Sequence, residues 1–246
     1  MATPYKTPVA EGPGLARFSE RTMLKLAFDR APRSILFIGA HCDDIEIGCG
    51  GAILTLVERF PQAHIDWVVL SSSPVRSKEA EAAAKHFLHG AGSFRLHIQD
   101  FRNGYFPYVG GEIKDYFESL KHQINPDLIF THHVDDRHQD HRTAGELTWN
   151  TFRNHLVFEY EIPKYDGGLG NPNFFVPVTK QAADEKVTAL MECFPSEASK
   201  SWFTPETFYA MLRLRGVESN SPTGFAEGFF CRKVSLSDVQ VSSQDN

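Results

Sequence analysis

The chain has 246 residues, of which 41% are hydrophobic, and its formal net charge is −6. This size and apolar content predict a single α/β domain over residues 1–246. A negative charge without any run of Lys or Arg argues against nucleic acid or an anionic membrane surface as the main partner, and it favours small molecules or glycans.

The two ends of the chain are polar or rich in Pro and Gly. Residues 1–14 are predicted to be a loose lead-in without the apolar core of a signal peptide, and residues 237–246 a polar tail. No segment has the apolar length of a membrane span, and the four cysteines form no CxxC pair. We therefore expect a cytoplasmic protein with no stable membrane insertion; the sequence leaves its oligomeric state open, a homo-oligomer included.

Apolar runs alternate with helical periodicities from residue 18 onward. A helix is predicted over 18–31, and Pro32 ends it. The next elements are strands over 35–39, 65–70, 94–98 and 127–131 and helices over 50–59, 76–88, 112–124 and 139–153. Short apolar strands that alternate with helices predict a mostly parallel sheet covered on both faces, which is a Rossmann-like three-layer α/β fold.

The pattern changes beyond residue 156. Strands are predicted over 157–162, 174–178 and 225–234, and helices over 180–193 and 204–216. A long loop rich in Gly and Pro, residues 163–173, separates the first two of these strands. We expect these additional elements to form one wall of a pocket and the loop to form part of a substrate lid.

Polar clusters follow two of the apolar strands. Ala40-His-Cys-Asp-Asp44 comes directly after strand 35–39, and His132 to His141 come after strand 127–131. Because the carboxyl ends of parallel strands meet at one edge of a sheet, the two clusters can contribute to one site. A hydrolytic zinc site needs three His or carboxylate ligands and an open position for water, and the candidates are His41, Asp44 and His141. The alternative is that these groups are unrelated polar residues of surface loops.

These motifs resemble those of a known family. Ala40-His-Cys-Asp-Asp44 followed by Gly50-Gly51, together with His138-Gln-Asp-His141, resembles the two signatures of the LmbE/PIG-L-like zinc-dependent N-deacetylases, which are N-acetylglucosaminyl deacetylase-like. The resemblance covers residues 35–150. It also includes Arg76-Ser-Lys-Glu79 and Asp100. Lys186 and Ala226-Glu227 resemble the family pattern more weakly.

The resemblance implies a role for each motif residue. The zinc ligands would be His41, Asp44 and His141. Asp43 would be the general base that takes a proton from metal-activated water. His138, when protonated, would stabilise the oxyanion and protonate the leaving amine, and Asp140 would hold it in place. The implied reaction is removal of an N-acetyl or other N-acyl group from an amino-sugar-containing substrate.

Two positions depart from the family pattern. Cys42 stands where a proline is usual, and it is predicted to be a small buried side chain rather than a thiolate ligand. Asp136 stands where some members have a tyrosine that helps at the oxyanion. That help must then come from elsewhere or be absent.

Three further residues are candidates for substrate binding, namely Arg76, Asp100 and Glu46. The Arg76 guanidinium could bind a hydroxyl or phosphate, or it could pair with Glu79 or Asp100 instead. Asp100 could accept hydrogen bonds from sugar hydroxyls or cap the turn at Asn103-Gly104. Glu46 could reach the active-site water or the Gly50 backbone, and otherwise it is a loop carboxylate. His132 and His133 are predicted to be structural.

Other functions fit the sequence less well. A nucleotide-binding Rossmann module needs a glycine where Ile53 stands, and an acidic residue after the second strand, where serines stand. A non-catalytic protein with this fold would not need the full set of ligands and base. A metal-dependent esterase, or another amidase acting on a small acylated metabolite, stays open because activated water attacks any acyl carbonyl that fits.

Overall fold

The computed structural model describes residues 28–235. The elements below belong to the unit Ala31–Asn246. The predicted lead-in over 1–14 and tail over 237–246 lie outside the described residues, as does most of the predicted helix over 18–31. The assignment of a single domain to residues 1–246 stays a prediction.

Seven strands form one sheet at the centre of this unit. In chain order they are β1 (Ser34–Gly39), β2 (His64–Val69), β3 (Ser93–Ile98), β4 (Leu128–His132), β5 (Leu156–Tyr160), β6 (Phe174–Val178) and β7 (Phe225–Cys231). Their spatial order is β3-β2-β1-β4-β5-β7-β6, in which the first five strands are parallel and the last two pair antiparallel. The predicted mostly parallel, Rossmann-like sheet is confirmed.

Helices form the layers above and below the sheet. Among the described residues they are α1 (Asp44–Arg59), α2 (Pro74–Phe87), α3 (Gly110–Leu120), α4 (Gln139–Thr151), α5 (Lys180–Cys193) and α6 (Pro205–Glu218). On one face, α3 and α4 enclose a core with alternate strand residues such as Leu36, Ile38 and Val68. The other helices pack against one another in the opposite layer. Burial on both faces explains why the strands are continuous apolar runs in the sequence.

The strand order reverses between β1 and β4. From β1 the chain runs outward to β2 and β3, and from β4 it runs the other way to β5. Open α/β sheets bind their ligands in the crevice at such a reversal, beyond the carboxyl ends of the strands. The two polar clusters follow β1 and β4, and they therefore lie in this crevice.

The first helix differs from its prediction. α1 begins at Asp44 rather than at residue 50, and its backbone is broken at Cys49, where φ is −142° and ψ is 19°. After the break, the Glu227 carboxylate accepts hydrogen bonds from two backbone N–H groups at 2.8 and 2.7 Å. Before it, Nζ of Lys186 donates to the carbonyl of Ile47 at 2.7 Å and pairs with Glu227 at 2.6 Å. This buried ion pair satisfies backbone groups that an unbroken helix would satisfy itself.

The predicted elements from residue 65 onward are present, with boundaries that move by a few residues. The loop over 100–111 contains a 3₁₀ turn at Phe106–Tyr108, and a second such turn at Pro195–Glu197 follows α5. Close packing fixes Gly48 in α1, since a Cβ there would lie 2.2 Å from a ring carbon of Tyr160. None of the helices in the described part of the chain has the length and apolar character to cross a membrane.

Candidate metal centre and active site

The two sequence motifs meet at the carboxyl ends of β1 and β4. Nδ1 of His41 lies 3.2 Å from Nε2 of His141. Asp44 places Oδ1 3.4 Å from Nε2 of His141 and Oδ2 3.2 Å from Nδ1 of His41. Donor atoms around a four-coordinate zinc ion, with bonds of ~2.0–2.1 Å, lie about 3.3 Å apart. The three buried side chains therefore converge, and their assignment as the ligands of one small cation stays a prediction.

A carboxylate lies behind each imidazole. Nε2 of His41 is 3.2 Å from Oδ2 of Asp140, and Nδ1 of His141 is 3.1 Å from Oδ2 of Asp136. Each ring thus turns one nitrogen to the centre and the other to a carboxylate, the arrangement that fixes the tautomer of metal-binding histidines. The Asp136 carboxylate also accepts a hydrogen bond from Nζ of Lys164 at 2.7 Å.

The contacts of Asp140 correct one prediction. Its carboxylate does not hold His138, since it contacts His41 and accepts hydrogen bonds from the backbone N–H groups of Gly104 at 2.6 Å and Phe106 at 3.1 Å. His138 is the N-cap of α4, and its Nδ1 accepts the backbone N–H of Asp140 at 3.2 Å. This cap turns the His138 imidazole toward α4. The Asp140 carboxylate instead connects the loop over 100–111 to His41.

Carboxylates give the centre a negative field. Burial alone would lower the pKa of His41, but Asp44 and Asp140 raise it to about 10. Burial would raise the pKa of Asp44, yet the imidazoles of His141, His132 and His41 hold it well below its ordinary value. Charges that draw a proton onto an imidazole in this way also favour a metal cation between the rings.

Asp43 lies beside these ligands as the N-cap residue of α1. Its Oδ1 accepts a hydrogen bond from Nη2 of Arg76 at 2.8 Å, and Oδ2 has no hydrogen-bond partner in the described part of the chain. Burial raises the pKa of Asp43, and the Arg76 guanidinium opposes that rise. The second partner of Arg76 is Glu197 at 3.0 Å, not Glu79 or Asp100, the partners that the sequence suggested.

His138 lies next to both histidines of the centre. Its ring centroid is 5.0 Å from that of His41 and 4.6 Å from that of His141. Burial and the charges of these two neighbours lower the pKa of His138 to about 4. The environment thus favours a neutral ring rather than the cation that the family resemblance implies. Because Nδ1 accepts a backbone N–H, the proton of the neutral ring is assigned to Nε2.

His132 and His133 both contact groups inside the protein, and their structural role stays a prediction. His132 is fully buried, its Nε2 accepts the backbone N–H of Ala40 at 2.9 Å, and its ring stacks on His141 with centroids 4.0 Å apart. Nδ1 of His133 donates to Glu159 at 2.6 Å. Donor atoms within 4.8 Å of one another form two overlapping sets, His41 with His138 and His141, and Asp44 with His132 and His141. The sequence did not predict that the His132 ring stacks on His141.

The remaining candidates differ in accessibility. Glu46 is 0% exposed, and neither of its oxygens has a hydrogen-bond partner among the described residues, the Gly50 backbone included, so its role in substrate binding stays a prediction. Asp100 is exposed just after β3, and its substrate role stays a prediction.

Cys42 is 1% exposed, its Sγ lies 3.6 Å from the carbonyl of Ser71, and burial raises the pKa of the thiol to about 11. Cys42 is thus the buried thiol that the sequence predicts.

Sequence comparison identifies the family. The model for PIG-L, described as GlcNAc-PI de-N-acetylase, matches residues 36–152, which contain both motifs. A relative from Escherichia coli (strain K12), the uncharacterized deacetylase YaiS, is 32% identical over 143 residues, which are 53% of this chain and 75% of the relative. The chain belongs to the PIG-L/LmbE family of deacetylases.

Solved structures share the fold. GalB, the 4-carboxy-2-hydroxymuconate hydratase from Pseudomonas putida KT2440, is 18% identical, with a TM-score of 0.68 over 84% of this chain and 99% of that one. N,N′-diacetylchitobiose deacetylase from Pyrococcus horikoshii is 19% identical, with a TM-score of 0.59 over 81% of this chain and 84% of that one. At these identities the likeness establishes the fold and leaves the reaction to the residues of the site.

Proposed function

We propose that this protein is a zinc-dependent N-deacetylase that removes an acetyl group from a small amino-sugar-containing substrate. The observation that carries the proposal is the convergence of the donor atoms of His41, Asp44 and His141, with the Asp43 carboxylate beside them. Two imidazoles and one carboxylate are a donor set that suits zinc better than calcium or magnesium.

The ion would be held by these three side chains and oriented by the two carboxylates behind them, Asp136 and Asp140. Bound there, zinc supplies a Lewis acid that lowers the pKa of water and polarises the acyl carbonyl. Loss of one ligand should remove the ion, whereas loss of Asp136 or Asp140 should only weaken its binding.

Asp43 takes the proton from the attacking water in this proposal. Its Oδ1 is occupied by Arg76, so Oδ2 is the atom that accepts the proton. A carboxylate that gains a proton as the amide is attacked can release it to the leaving nitrogen as the C–N bond breaks. Asp43 therefore acts first as base and then as acid.

His138 keeps one of the two tasks that the family resemblance implies, and Asp43 takes the other. A neutral imidazole is a poor proton donor to an amine, but its Nε2–H is a good hydrogen-bond donor. We assign to His138 the stabilisation of the negative charge that develops on the carbonyl oxygen. This assignment uses the lowered pKa of His138, which keeps the ring neutral at neutral pH.

The amino-sugar part of the proposal follows the family. The PIG-L model is described as a GlcNAc-PI de-N-acetylase, and the Pyrococcus horikoshii structure is named for diacetylchitobiose. Arg76 and Asp100 are the candidates for contact with sugar hydroxyls, since both have solvent access. All four cysteines are unpaired, which is the ordinary state in a reducing compartment, and we propose a cytoplasmic location.

Acetate release tests the proposal directly. The substrates are N-acetylglucosamine, N,N′-diacetylchitobiose and UDP-N-acetylglucosamine, each with EDTA, without it, and after zinc is restored. We expect at least one amide to release acetate, EDTA to stop the reaction, and zinc to restore it. Phenyl acetate is the matched ester probe. Chelator-sensitive hydrolysis of the ester with no release from any amide would replace the deacetylase with the esterase alternative.

A further inference from the structure

The turn after α5 is fastened to the start of α2 by two buried polar contacts. The Glu79 carboxylate accepts hydrogen bonds from the backbone N–H of Ser196 at 2.9 Å and from its hydroxyl at 2.6 Å. Three residues earlier on the same helix, Nη2 of Arg76 contacts Oε1 of Glu197 at 3.0 Å. Glu197 is only 3% exposed, although it belongs to a 3₁₀ turn on the outside of the sheet. This burial places the Glu197 carboxylate in the wall of the site.

One nitrogen of Arg76 serves two carboxylates. Nη2 lies 2.8 Å from Oδ1 of Asp43 and 3.0 Å from Oε1 of Glu197, while the other oxygen of Glu197 pairs with Lys200. The result is a row of alternating charges, which runs from Lys200 at the surface through Glu197 and Arg76 to Asp43. An Arg side chain has many rotamers, and a second anionic partner restricts it to the one that reaches Asp43.

We propose that Glu197 is a positioning residue of the deacetylase: it fixes the Arg76 guanidinium against Oδ1 of Asp43, so that Oδ2 of the same carboxylate faces the attacking water. This inference rests on the function proposed above, in which Asp43 is the general base. Glu197 itself has no contact with the metal ligands among the residues described. It acts through Arg76, which without Glu197 can turn toward solvent and leave the Asp43 carboxylate free to rotate.

Position in the sequence gives no hint of this role. Glu197 lies 121 residues after Arg76 in a segment of mixed polar residues, outside the 36–152 region that matches the family model. The same segment also reaches the opposite wall of the site. Oγ of Ser201 lies 3.1 Å from the hydroxyl of Tyr165, and the neighbouring Lys164 binds Asp136. The segment that carries Glu197 therefore contacts α2 on one side and the loop over 163–173 on the other.

The test compares Glu197→Gln with Glu79→Gln in the full-length, zinc-loaded enzyme. Both variants remove a carboxylate that docks the same turn, but only Glu197 touches Arg76. With N,N′-diacetylchitobiose or the fastest amide of the panel as substrate, we expect Glu197→Gln to lower kcat about 10- to 100-fold, the usual cost of a misplaced catalytic group. KM should change by less than about threefold, and Glu79→Gln should keep kcat within about twofold of the wild type.

A double variant decides whether Glu197 acts through Asp43. Because residues that act as one unit are not additive, Asp43→Asn/Glu197→Gln should be no slower than Asp43→Asn alone. A full additional loss in the double variant would overturn the inference, as would equal kcat losses in Glu197→Gln and Glu79→Gln. Glu197→Asp, which keeps the charge but shortens the reach, should give an intermediate kcat, and it takes over the test if Glu197→Gln does not fold.

The two proposals fail in different ways. A wild-type enzyme that releases no acetate from any amide overturns the deacetylase and with it the role of Glu197. An active wild type with normal kcat in Glu197→Gln overturns the positioning role alone. Zinc content is measured for every variant, and we expect it to be unchanged in Glu197→Gln because none of the metal ligands contacts this residue.

Discussion

Nε2 of His141 lies 3.2 Å from Nδ1 of His41, although the two residues are 100 positions apart in the chain. Each of these nitrogens faces the other, while the second nitrogen of each ring is held by a carboxylate, Asp136 for His141 and Asp140 for His41. Without a metal ion, a proton can lie between the two nitrogens as a hydrogen bond. A metal cation between two deprotonated nitrogens would take the place of that proton, and this exchange is the basis of the metal site proposed above.

Loss of a metal ligand should change both the zinc content and the stability of the protein. We expect the purified protein to hold about one zinc per chain, and His41→Ala, Asp44→Ala and His141→Ala each to lose it, because a three-ligand site rarely survives as a two-ligand site. Since zinc binds the folded state, it should raise the melting temperature of the metal-free wild type and leave that of His141→Ala unchanged. Metal analysis and thermal unfolding measure the two effects. An equal thermal shift in both proteins would contradict the site.

Asp43 can be separated from the ligands by one variant. Asp43→Asn should retain zinc and the fold but lower kcat by on the order of 10²- to 10⁴-fold, the contribution of a positioned general base. Asp135→Asn is the matched control, since this carboxylate is in the same region but is exposed and outside the site. Near-normal turnover of Asp43→Asn would assign the proton transfer to another group.

Asp136 should govern how tightly zinc is held. Its carboxylate accepts a hydrogen bond from His141 and another from Lys164, and these two groups lower its pKa although burial opposes them. Asp136→Asn should weaken zinc binding about 10- to 100-fold, the usual effect of losing a carboxylate behind a metal-binding histidine. Competition with a chromophoric chelator measures the change. Lys164→Met, which spares the contact between Asp136 and His141, should weaken binding less; the reverse order would show that the loop, not the carboxylate, controls the metal.

The pH profile tests the protonation state of His138. Burial lowers the pKa of His138, so the ring is neutral at neutral pH, and kcat should not fall as the pH rises through neutrality. His138→Gln keeps an N–H donor and should retain more activity than His138→Ala, which we expect to lose about 10²- to 10³-fold. Zinc content is followed at each pH. A fall in kcat as the pH rises through neutrality that disappears in His138→Gln would instead show that protonated His138 acts as the acid.

Local sequence was sufficient to predict most of the fold and to name side chains that the structure brings together. Short apolar strands alternate with helices, and each motif follows a strand directly, so topology alone brings the two motifs together. The donors His41, Asp44 and His141 could be selected because they stand at strand ends next to glycine or helix starts. These features depend on neighbours in sequence, which is why reasoning from pattern recovers them.

Contacts between distant segments could not be predicted in this way. The break in α1 is satisfied by Lys186 and Glu227, which lie 139 or more residues from their partners in the helix. The sequence therefore predicted that a helix begins at residue 50. In the structure this glycine-rich stretch is the second half of α1. Glu46 looked like an accessible loop carboxylate for the same reason, because its burial comes from α1 beginning at Asp44.

The pair of Lys186 and Glu227 should be essential to stability rather than chemistry. Both side chains are almost fully buried, and each binds the backbone on one side of the break in α1. Lys186→Met leaves a buried carboxylate without its counter-charge, and it should lower the free energy of unfolding by about 3–5 kcal/mol. Lys186→Met/Glu227→Gln removes both charges and should be more stable than the sum of the single losses predicts.

Urea unfolding of the zinc-loaded protein measures these differences from the transition midpoint and slope. Lys180→Met is the matched control, because Lys180 pairs with Asp184 on the same helix, α5, but at the surface, where an ion pair contributes little. We expect its midpoint to stay close to that of the wild type. Equal shifts of the midpoint in Lys180→Met and Lys186→Met would mean that the buried pair of Lys186 and Glu227 adds nothing to stability. The broken helix α1 would then be held by apolar packing alone.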